Sequence, residues 1–198
     1  MAWTLLRKGE KKNNPYKITK TLMSLNPYKY YAKRYRDGNL NSQQLAKMMN
    51  KWPPAISNRI KIVGITDDFM NAKMVITRSW LNSAQDQIMF GGTSYSGMDM
   101  YYGMALPLIM KKWGIDAYAF TKEAKIEYIK PVTTDLTVLF KLTEKTIGYY
   151  KNGLEKSKKH EEWLTVEGYN EEKELCVRTE LLMYLRTWPR RQKDENRD

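Results

Sequence analysis

The stretch from Phe90 to Gly114, FGGTSYSGMDMYYGMALPLIMKKWG, limits the fold of this chain more than any other part. Apolar side chains recur in it at every third or fourth residue, which is the spacing of one helix face. That face holds Tyr95, Met98, Tyr102, Ala105 and Ile109. Much of the remaining circumference is covered by Ser94, Tyr101, Met104 and Leu108. A helix that is apolar nearly all round is surrounded by other elements, so the stretch predicts the central helix of a small α+β domain.

The ends of this helix carry their own signals. Thr93 or Ser94 could cap the first turn, because a hydroxyl oxygen can accept a hydrogen bond from a free helical N–H. Gly114 stands where a left-handed C-terminal cap is usual. Pro107 lacks a backbone N–H, so a bend is expected at that point of the helix.

Asp99 is the one acidic residue of the stretch, and an uncompensated carboxylate in apolar surroundings costs free energy. One interpretation is that it faces solvent or pairs with a lysine. The other is that it lines a site. Gly91 and Gly92 agree with the second interpretation, because glycines let a ligand approach the backbone and the free N–H groups of a helix start polarise carbonyls.

The composition excludes several kinds of site. Cys176 is the one cysteine, so neither an internal disulfide nor a thiolate metal cluster is expected. His160 is the one histidine and lies in the charged run EKSKKHEE, which favours a solvated side chain over a catalytic triad. No metal or cofactor is therefore predicted. No apolar run reaches roughly 18 residues, so no transmembrane helix is expected.

Positive charge is concentrated towards the N-terminal end. Residues 1–58 hold twelve lysines and arginines against two acidic residues, so they carry +10 of the whole-chain charge of +12. A near-neutral domain with a basic extension differs physically from a basic domain. We therefore divide the chain into a basic N-terminal extension with short helices (1–54), an α+β domain (55–188) and a charged tail (189–198).

The extension suggests partners and a compartment. Residues 1–20 lack the long apolar core of a secretory signal and are weakly similar to a mitochondrial targeting sequence, so an intracellular and specifically a mitochondrial location are hypotheses. In residues 16–36, tyrosines are interleaved with lysines and arginines. These groups could stack on RNA bases and neutralise phosphates, or the tyrosines could pack on the domain while the cations face water.

Alternating apolar and polar residues predict strands on both sides of the central helix. The strands are expected at 59–63, 72–78, 117–130, 136–141, 161–169 and 175–185, with a helix at 42–50. The lysine-rich stretch 147–159 is interpreted as a hairpin or loop. The simplest way to bury the central helix is for an antiparallel sheet to curl around it.

A sheet curled around one helix is the hot-dog architecture, and residues 88–142 resemble a hot-dog family of thioesterase-like proteins. Three short motifs carry the resemblance. They are Phe90-Gly91-Gly92 at the helix start, Asp99 seven residues after the second glycine, and KEAKIEYIKP at 122–131. Weaker similarity extends over about residues 27–185.

The resemblance implies roles for individual residues. The N–H groups of Gly91 and Gly92 would polarise a thioester carbonyl, and Asp99 would act as general base on water or as nucleophile. The candidate substrate contacts are Phe90, Ser94, Tyr95 and Ser96. Phe90 stands where related acyl-CoA thioesterases often have histidine. The two serines either orient a water near Asp99 or are ordinary helix residues.

Two functions follow from these observations. The first is hydrolysis of an acyl thioester such as acyl-CoA, by a homodimer or a pair with another hot-dog chain. The second is a catalytically silent subunit that the basic extension holds in a larger assembly, for which a mitochondrial location is one hypothesis. Nucleic-acid binding is a third, less favoured interpretation.

Overall fold

The computed structural model describes residues 29–84 and 86–188. Within these ranges the helices are α1 (Lys29–Arg36), α2 (Ser42–Asn50), α3 (Pro53–Ser57), α4 (Gly91–Asp99), α5 (Tyr102–Lys111) and α6 (Glu144–Ser157). The strands are β1 (Ile60–Ile65), β2 (Asn71–Ile76), β3 (Ala117–Tyr128), β4 (Leu136–Lys141), β5 (Lys159–Tyr169) and β6 (Leu175–Thr187). The interpretations of residues 1–28 and 189–198 lie outside the described residues.

All six strands form one antiparallel sheet in the order β1-β2-β4-β5-β6-β3. Helices α4 and α5 lie against its inner face, where Met98, Tyr102 and Leu106 are 0% exposed. The predicted α+β architecture, with an antiparallel sheet around a central helix, is therefore confirmed. Burial of apolar side chains from both layers stabilises the arrangement.

The sequence predicted the C-terminal cap of the central helix correctly and the N-terminal cap incorrectly. Gly114 has the left-handed conformation expected of a C-terminal cap, with φ at 73°. The prediction that Thr93 or Ser94 caps the start is wrong, because the N-cap is Phe90 and no side chain caps it. Both hydroxyls are instead buried inside the first turn.

A bend was expected at Pro107. The central helix is instead divided upstream of that residue, at Met100 and Tyr101. Pro107 lies inside α5 and offers no N–H to the carbonyl of Gly103. The phenol of Tyr35 on α1 compensates, since it donates to Gly103 O at 3.5 Å and to Met104 O at 3.0 Å. Burial raises the pKa of Tyr35, so this phenol stays protonated as a donor.

The interpretation of residues 147–159 as a hairpin or loop is wrong, because most of this stretch belongs to α6. The Thr143 hydroxyl caps the helix by accepting from Thr146 N. Ile147, Tyr150 and Leu154 recur at helical spacing and are buried. Two glycines and several lysines obscured that spacing in the sequence.

His160 was expected to be solvated, yet its side chain is 26% exposed. Its ring meets the Tyr150 ring edge-on, with centroids 5.0 Å apart. The ring also lies where a Cβ on Gly153 would stand, 2.6 Å from Nδ1. The expectation is therefore wrong, because α6 covers the start of β5.

Strands β4 and β5 separate where α6 is inserted. Their pairing covers only Thr137 to Leu139 of β4. Beyond it, the Tyr102 hydroxyl accepts from Lys141 N at 3.1 Å and lies 3.1 Å and 3.2 Å from the carbonyl oxygens of Lys141 and Thr165. The phenol thus takes the place of ladder hydrogen bonds that the strands cannot make to each other.

The two edges of the sheet are treated differently. At the β1 edge, the Asn50 amide donates to Ile62 O at 3.0 Å and its oxygen accepts from Ile62 N at 2.7 Å. At the opposite edge lies β3, which is twelve residues long and pairs on one side with β6.

Candidate functional site

The start of α4 presents two backbone N–H groups. Phe90 N donates to Asn82 O at 2.8 Å, and the N–H groups of Thr93 and Ser94 both donate to Phe90 O. The geometry of any helix leaves the first amides without an intrahelical acceptor. Gly91 and Gly92 supply those amides here, and the positive end of the helix dipole adds to their attraction for an oxyanion.

Both glycines are needed for packing. A Cβ on Gly91 would stand 2.8 Å from the Tyr128 hydroxyl oxygen, and one on Gly92 would stand 2.5 Å from a Phe90 ring carbon. Tyr128, at the end of β3, was not recognised from the sequence. Burial raises its pKa, so the neutral phenol borders the helix start at physiological pH.

The loop before α4 is fixed by two asparagines. The Asn82 side chain is buried, accepts from Ser79 N at 2.8 Å and donates to Thr77 O at 3.0 Å and Asn58 O at 3.4 Å. Asn58 Oδ1 in turn accepts from the Thr93 hydroxyl at 3.2 Å. These bonds hold the loop, the end of α3 and the start of α4 together.

Asp99 is the last residue of α4 and is half-buried. Its Oδ1 accepts a hydrogen bond from the hydroxyl of Thr121 on β3. Thr121 Oγ1 also lies 3.3 Å from Met183 Sδ. Among the described residues, the hydrogen-bond partner of Asp99 is thus a hydroxyl on Oδ1 rather than a lysine.

Thr121 could not be found from strand alternation because of a β-bulge. Pairing with β6 shifts between Thr121 and Glu123, which leaves Lys122 as the extra residue. Before the bulge, Ala119 and Thr121 face the helix, whereas after it Ala124 packs on the core. Alternation counted back from Ala124 would have placed Thr121 on the outer face.

The other predicted contact residues divide into two groups. Phe90 is 62% exposed at the helix start. Tyr95 is half-buried one turn before Asp99, and its pKa is raised first by burial and then by the Asp99 charge. Ser96 donates its hydroxyl to Gly92 O at 2.8 Å. Ser94 is 1% exposed, and its Oγ has no hydrogen-bond partner among the described residues.

Gly92 and Asp99 lie on one face of α4. Seven residues correspond to nearly two turns, so they are about 10 Å apart along the helix axis. The structure therefore places the amides and the carboxylate on one stripe with Tyr95 nearby, but not in direct contact.

A groove of about 620 Å³ lies along α5. Its floor is formed by Gly103, Met104, Pro107, Ala117 and Ala119. Its rim is formed by Tyr35, Arg36, Asp37, Lys111, Asp116, Tyr118 and Trp188. Gly103 follows Asp99 by one helical turn, so the groove begins about 6 Å beyond the carboxylate and has an apolar floor.

Metal sites and membrane-spanning helices are both absent from the described residues. No group of three or more His, Cys, Asp or Glu side chains is placed to hold a metal ion there. Among the helices of 29–84 and 86–188, none is long and apolar enough to cross a bilayer.

The sequence matches a family model described as "Domain of unknown function (DUF4442)" over residues 41–185. The chain belongs to this family. A sequence comparison of this DUF4442 member with curated proteins gives no significant match.

Solved structures similar to this DUF4442 chain include three bacterial proteins. A Pseudomonas aeruginosa protein of unknown function, called a probable thioesterase, has a TM-score of 0.65 at 16% identity, covering 74% of this chain and 95% of its own. A putative thioesterase from Shewanella oneidensis has a TM-score of 0.59 at 18% identity, with 74% and 99% covered. The Escherichia coli PaaI protein, from the phenylacetic acid degradation operon, has a TM-score of 0.53 at 14% identity, with 74% and 92% covered. The similarity confirms the hot-dog, thioesterase-like fold.

Proposed function

We propose that this DUF4442 protein hydrolyses acyl thioesters, with acyl-CoA as the ligand class. The observation that carries the proposal is the shared stripe of α4, which combines free amides at Gly91 and Gly92 with a carboxylate at Asp99. The two amides would stabilise the oxyanion of a tetrahedral intermediate. The thioesterase names of two structural neighbours support the choice of reaction class.

The spacing within one chain favours general-base catalysis over attack by the carboxylate. A carbonyl oxygen would lie about 3 Å from the amides, and a water attacking its carbon would lie about 3 Å from Asp99. A separation of roughly 10 Å along the axis between Gly92 and Asp99 leaves room for such a water between the carbonyl carbon and the carboxylate. Asp99 would take the proton of the water, and Thr121 would hold the carboxylate in position.

The groove beside α5 suits the acyl chain. Its floor of glycine, alanine, methionine and proline residues is apolar, and it begins about 6 Å beyond Asp99 along the helix. Arg36 and Lys111 on its rim are balanced by Asp37 and Asp116, and Lys111 Nζ is paired with Asp116. The apolar floor, rather than the charge of the rim, is therefore what supports this groove as the site of the acyl chain.

Pairing of two copies through β3 belongs to the same proposal. Hot-dog thioesterases usually oligomerise. The outer edge of β3 is a template for a further strand, and Asp99, Thr121 and Tyr128 all lie beside it. A second copy there would cover the site from the open side.

Turnover of acyl-CoA by the wild type and by Asp99→Asn tests the proposal. We expect the amide to lower kcat by a factor of about 100 or more, because it cannot accept the proton of water. Asp86→Asn, an exposed aspartate in the preceding loop, is the matched control and should retain full activity. Equal rates for wild type and Asp99→Asn would remove the catalytic role of Asp99.

A second candidate function is a structural hot-dog subunit without activity. The specific observation in its favour is that the Phe90 ring lies against Gly92, with a ring carbon 2.5 Å from where a Cβ would stand, and so crowds the start of the helix. The basic residues 1–58 would then attach the domain to a larger assembly. Removal of residues 1–26 should release the folded domain from such an assembly, and unchanged association would contradict this function.

A further inference from the structure

Large apolar side chains are exposed together around the start of α4. The exposed fraction is 85% for Trp80, 59% for Leu81 and 62% for Phe90. Ile56 and Trp52, separated by one turn at α3, are 60% and 43% exposed. We call these five residues the apolar ridge. Contiguous apolar surface of this kind usually marks a contact with another molecule or a membrane.

Hydrogen bonds join the three segments that carry the ridge. Asn82, which follows Leu81, donates to Asn58 O at 3.4 Å, two residues after Ile56. Phe90 N donates to Asn82 O at 2.8 Å. The segments are therefore direct neighbours, and their exposed side chains belong to one region of the surface.

The charge of the same segments is mostly positive. Residues 51–61 and 77–92 contain four basic residues and one acidic residue, Asp86, so their net charge is +3. The basic residues are Lys51, Arg59, Lys61 and Arg78. Tryptophan and leucine bordered by cations form the pattern of a surface that lies in the headgroup region of an anionic bilayer.

We propose that the apolar ridge binds the surface of an anionic lipid bilayer. Trp80 and Leu81 enter the boundary between headgroups and acyl chains, and the four cations lie at headgroup level. The helix α3, which carries Trp52 and Ile56, packs beside β1, at the opposite edge of the sheet from β3, so pairing of copies through β3 leaves this part of the ridge uncovered. The binding does not depend on the proposed hydrolysis and is measured without substrate.

Flotation of the full-length protein with vesicles tests the proposal. Vesicles of phosphatidylcholine with phosphatidylglycerol are compared with vesicles of phosphatidylcholine alone. We expect binding to the anionic vesicles, at least about tenfold weaker binding to the neutral ones, and weakening by added salt, since each cation near the surface adds to the attraction.

Two variants locate the contact. Trp80→Ser with Leu81→Ser should lower the partition coefficient for anionic vesicles about tenfold or more, because two exposed apolar groups are removed. Arg59→Glu with Lys61→Glu should abolish the preference for anionic lipid. Trp113→Ser is the matched control. Trp113 is 47% exposed and follows α5, about 30 Å along the central helix from Gly91, so its loss should leave binding unchanged.

Three results would overturn the proposal. The first is absence of wild-type binding to anionic vesicles. The second is equal weakening by the control Trp113→Ser. The third is a change of molecular mass in light scattering caused by the Trp80 and Leu81 variant, which would assign the ridge to contact between protein copies.

Discussion

The contact of Thr121 with Asp99 can be seen only in the three-dimensional structure. Its hydroxyl reaches Asp99 because the bulge at Lys122 reverses which face of β3 the side chain occupies. Asp99 itself, and the glycines before it, could be singled out from the sequence because they interrupt an apolar helix. Its partner Thr121 on β3 could not be singled out, because its orientation depends on the unpaired residue Lys122. No local sequence pattern predicts that bulge.

Replacement of Thr121 tests its role in positioning Asp99. Thr121→Val keeps the shape but removes the hydroxyl, so kcat for acyl-CoA should fall about tenfold while KM changes little. Thr121→Ser should restore most of the rate. Thr137→Val, a half-buried threonine of β4, is the control for loss of a hydroxyl in the sheet. A rise in KM alone, without rescue by serine, would mean that Thr121 does not position Asp99.

Tyr102 predicts a loss of stability in alkali. Burial raises its pKa to about 12, from a value of about 10 in the unfolded chain. Folding thus favours the neutral phenol. The contribution of Tyr102 to the free energy of unfolding is complete below pH 10 and is lost as the pH rises to 12. Two pH units correspond to about 3 kcal/mol, to be measured by denaturant unfolding at several pH values. Tyr102→Phe should be less stable at pH 7 but should show a smaller decline above pH 10; an identical decline would contradict this assignment.

At the scale of elements, long apolar periodicity predicted the central helix and the alternating strands well. It failed for α6, where Gly148 and Gly153 and several lysines interrupt the apolar spacing. It also failed to show the break between α4 and α5, because Met100 and Tyr101 continue the apolar pattern through it. Periodicity records which residues are buried, whereas the hydrogen bonds that divide a helix depend on what packs against it.

The groove between α5 and β3 makes a prediction about acyl chain length. A Cβ on Gly103 would meet Ala119 O at an ordinary 4.0 Å, so Gly103→Leu is expected to fold and to place its side chain in the groove. The KM for long-chain acyl-CoA should rise about tenfold or more, while acetyl-CoA hydrolysis should change little. Gly148→Leu on α6, with open space around it, is the matched control. Equal effects on long and short chains would show that the acyl chain lies elsewhere.

At the scale of the whole molecule, the exposed edge of β3 predicts a dimer. Light scattering should give about twice the chain mass of 23.4 kDa. Phe120→Glu, at an exposed apolar residue of β3, should shift the protein towards monomer because it places a charge beside the predicted contact. Ile56→Glu, near the other edge, should leave the mass unchanged. A wild type that remains monomeric at all concentrations would exclude pairing through β3.

The side-chain amide of Asn50 limits pairing with another copy at the β1 edge of the sheet. It occupies the main-chain N–H and carbonyl of Ile62, so a foreign strand meets satisfied groups at that margin. A sheet whose two edges can both pair with other copies can add copies without end and form fibres. A sheet with only one such edge is complete once two copies have paired. If copies pair through β3 as proposed, one asparagine side chain would thereby favour a closed pair over a growing filament.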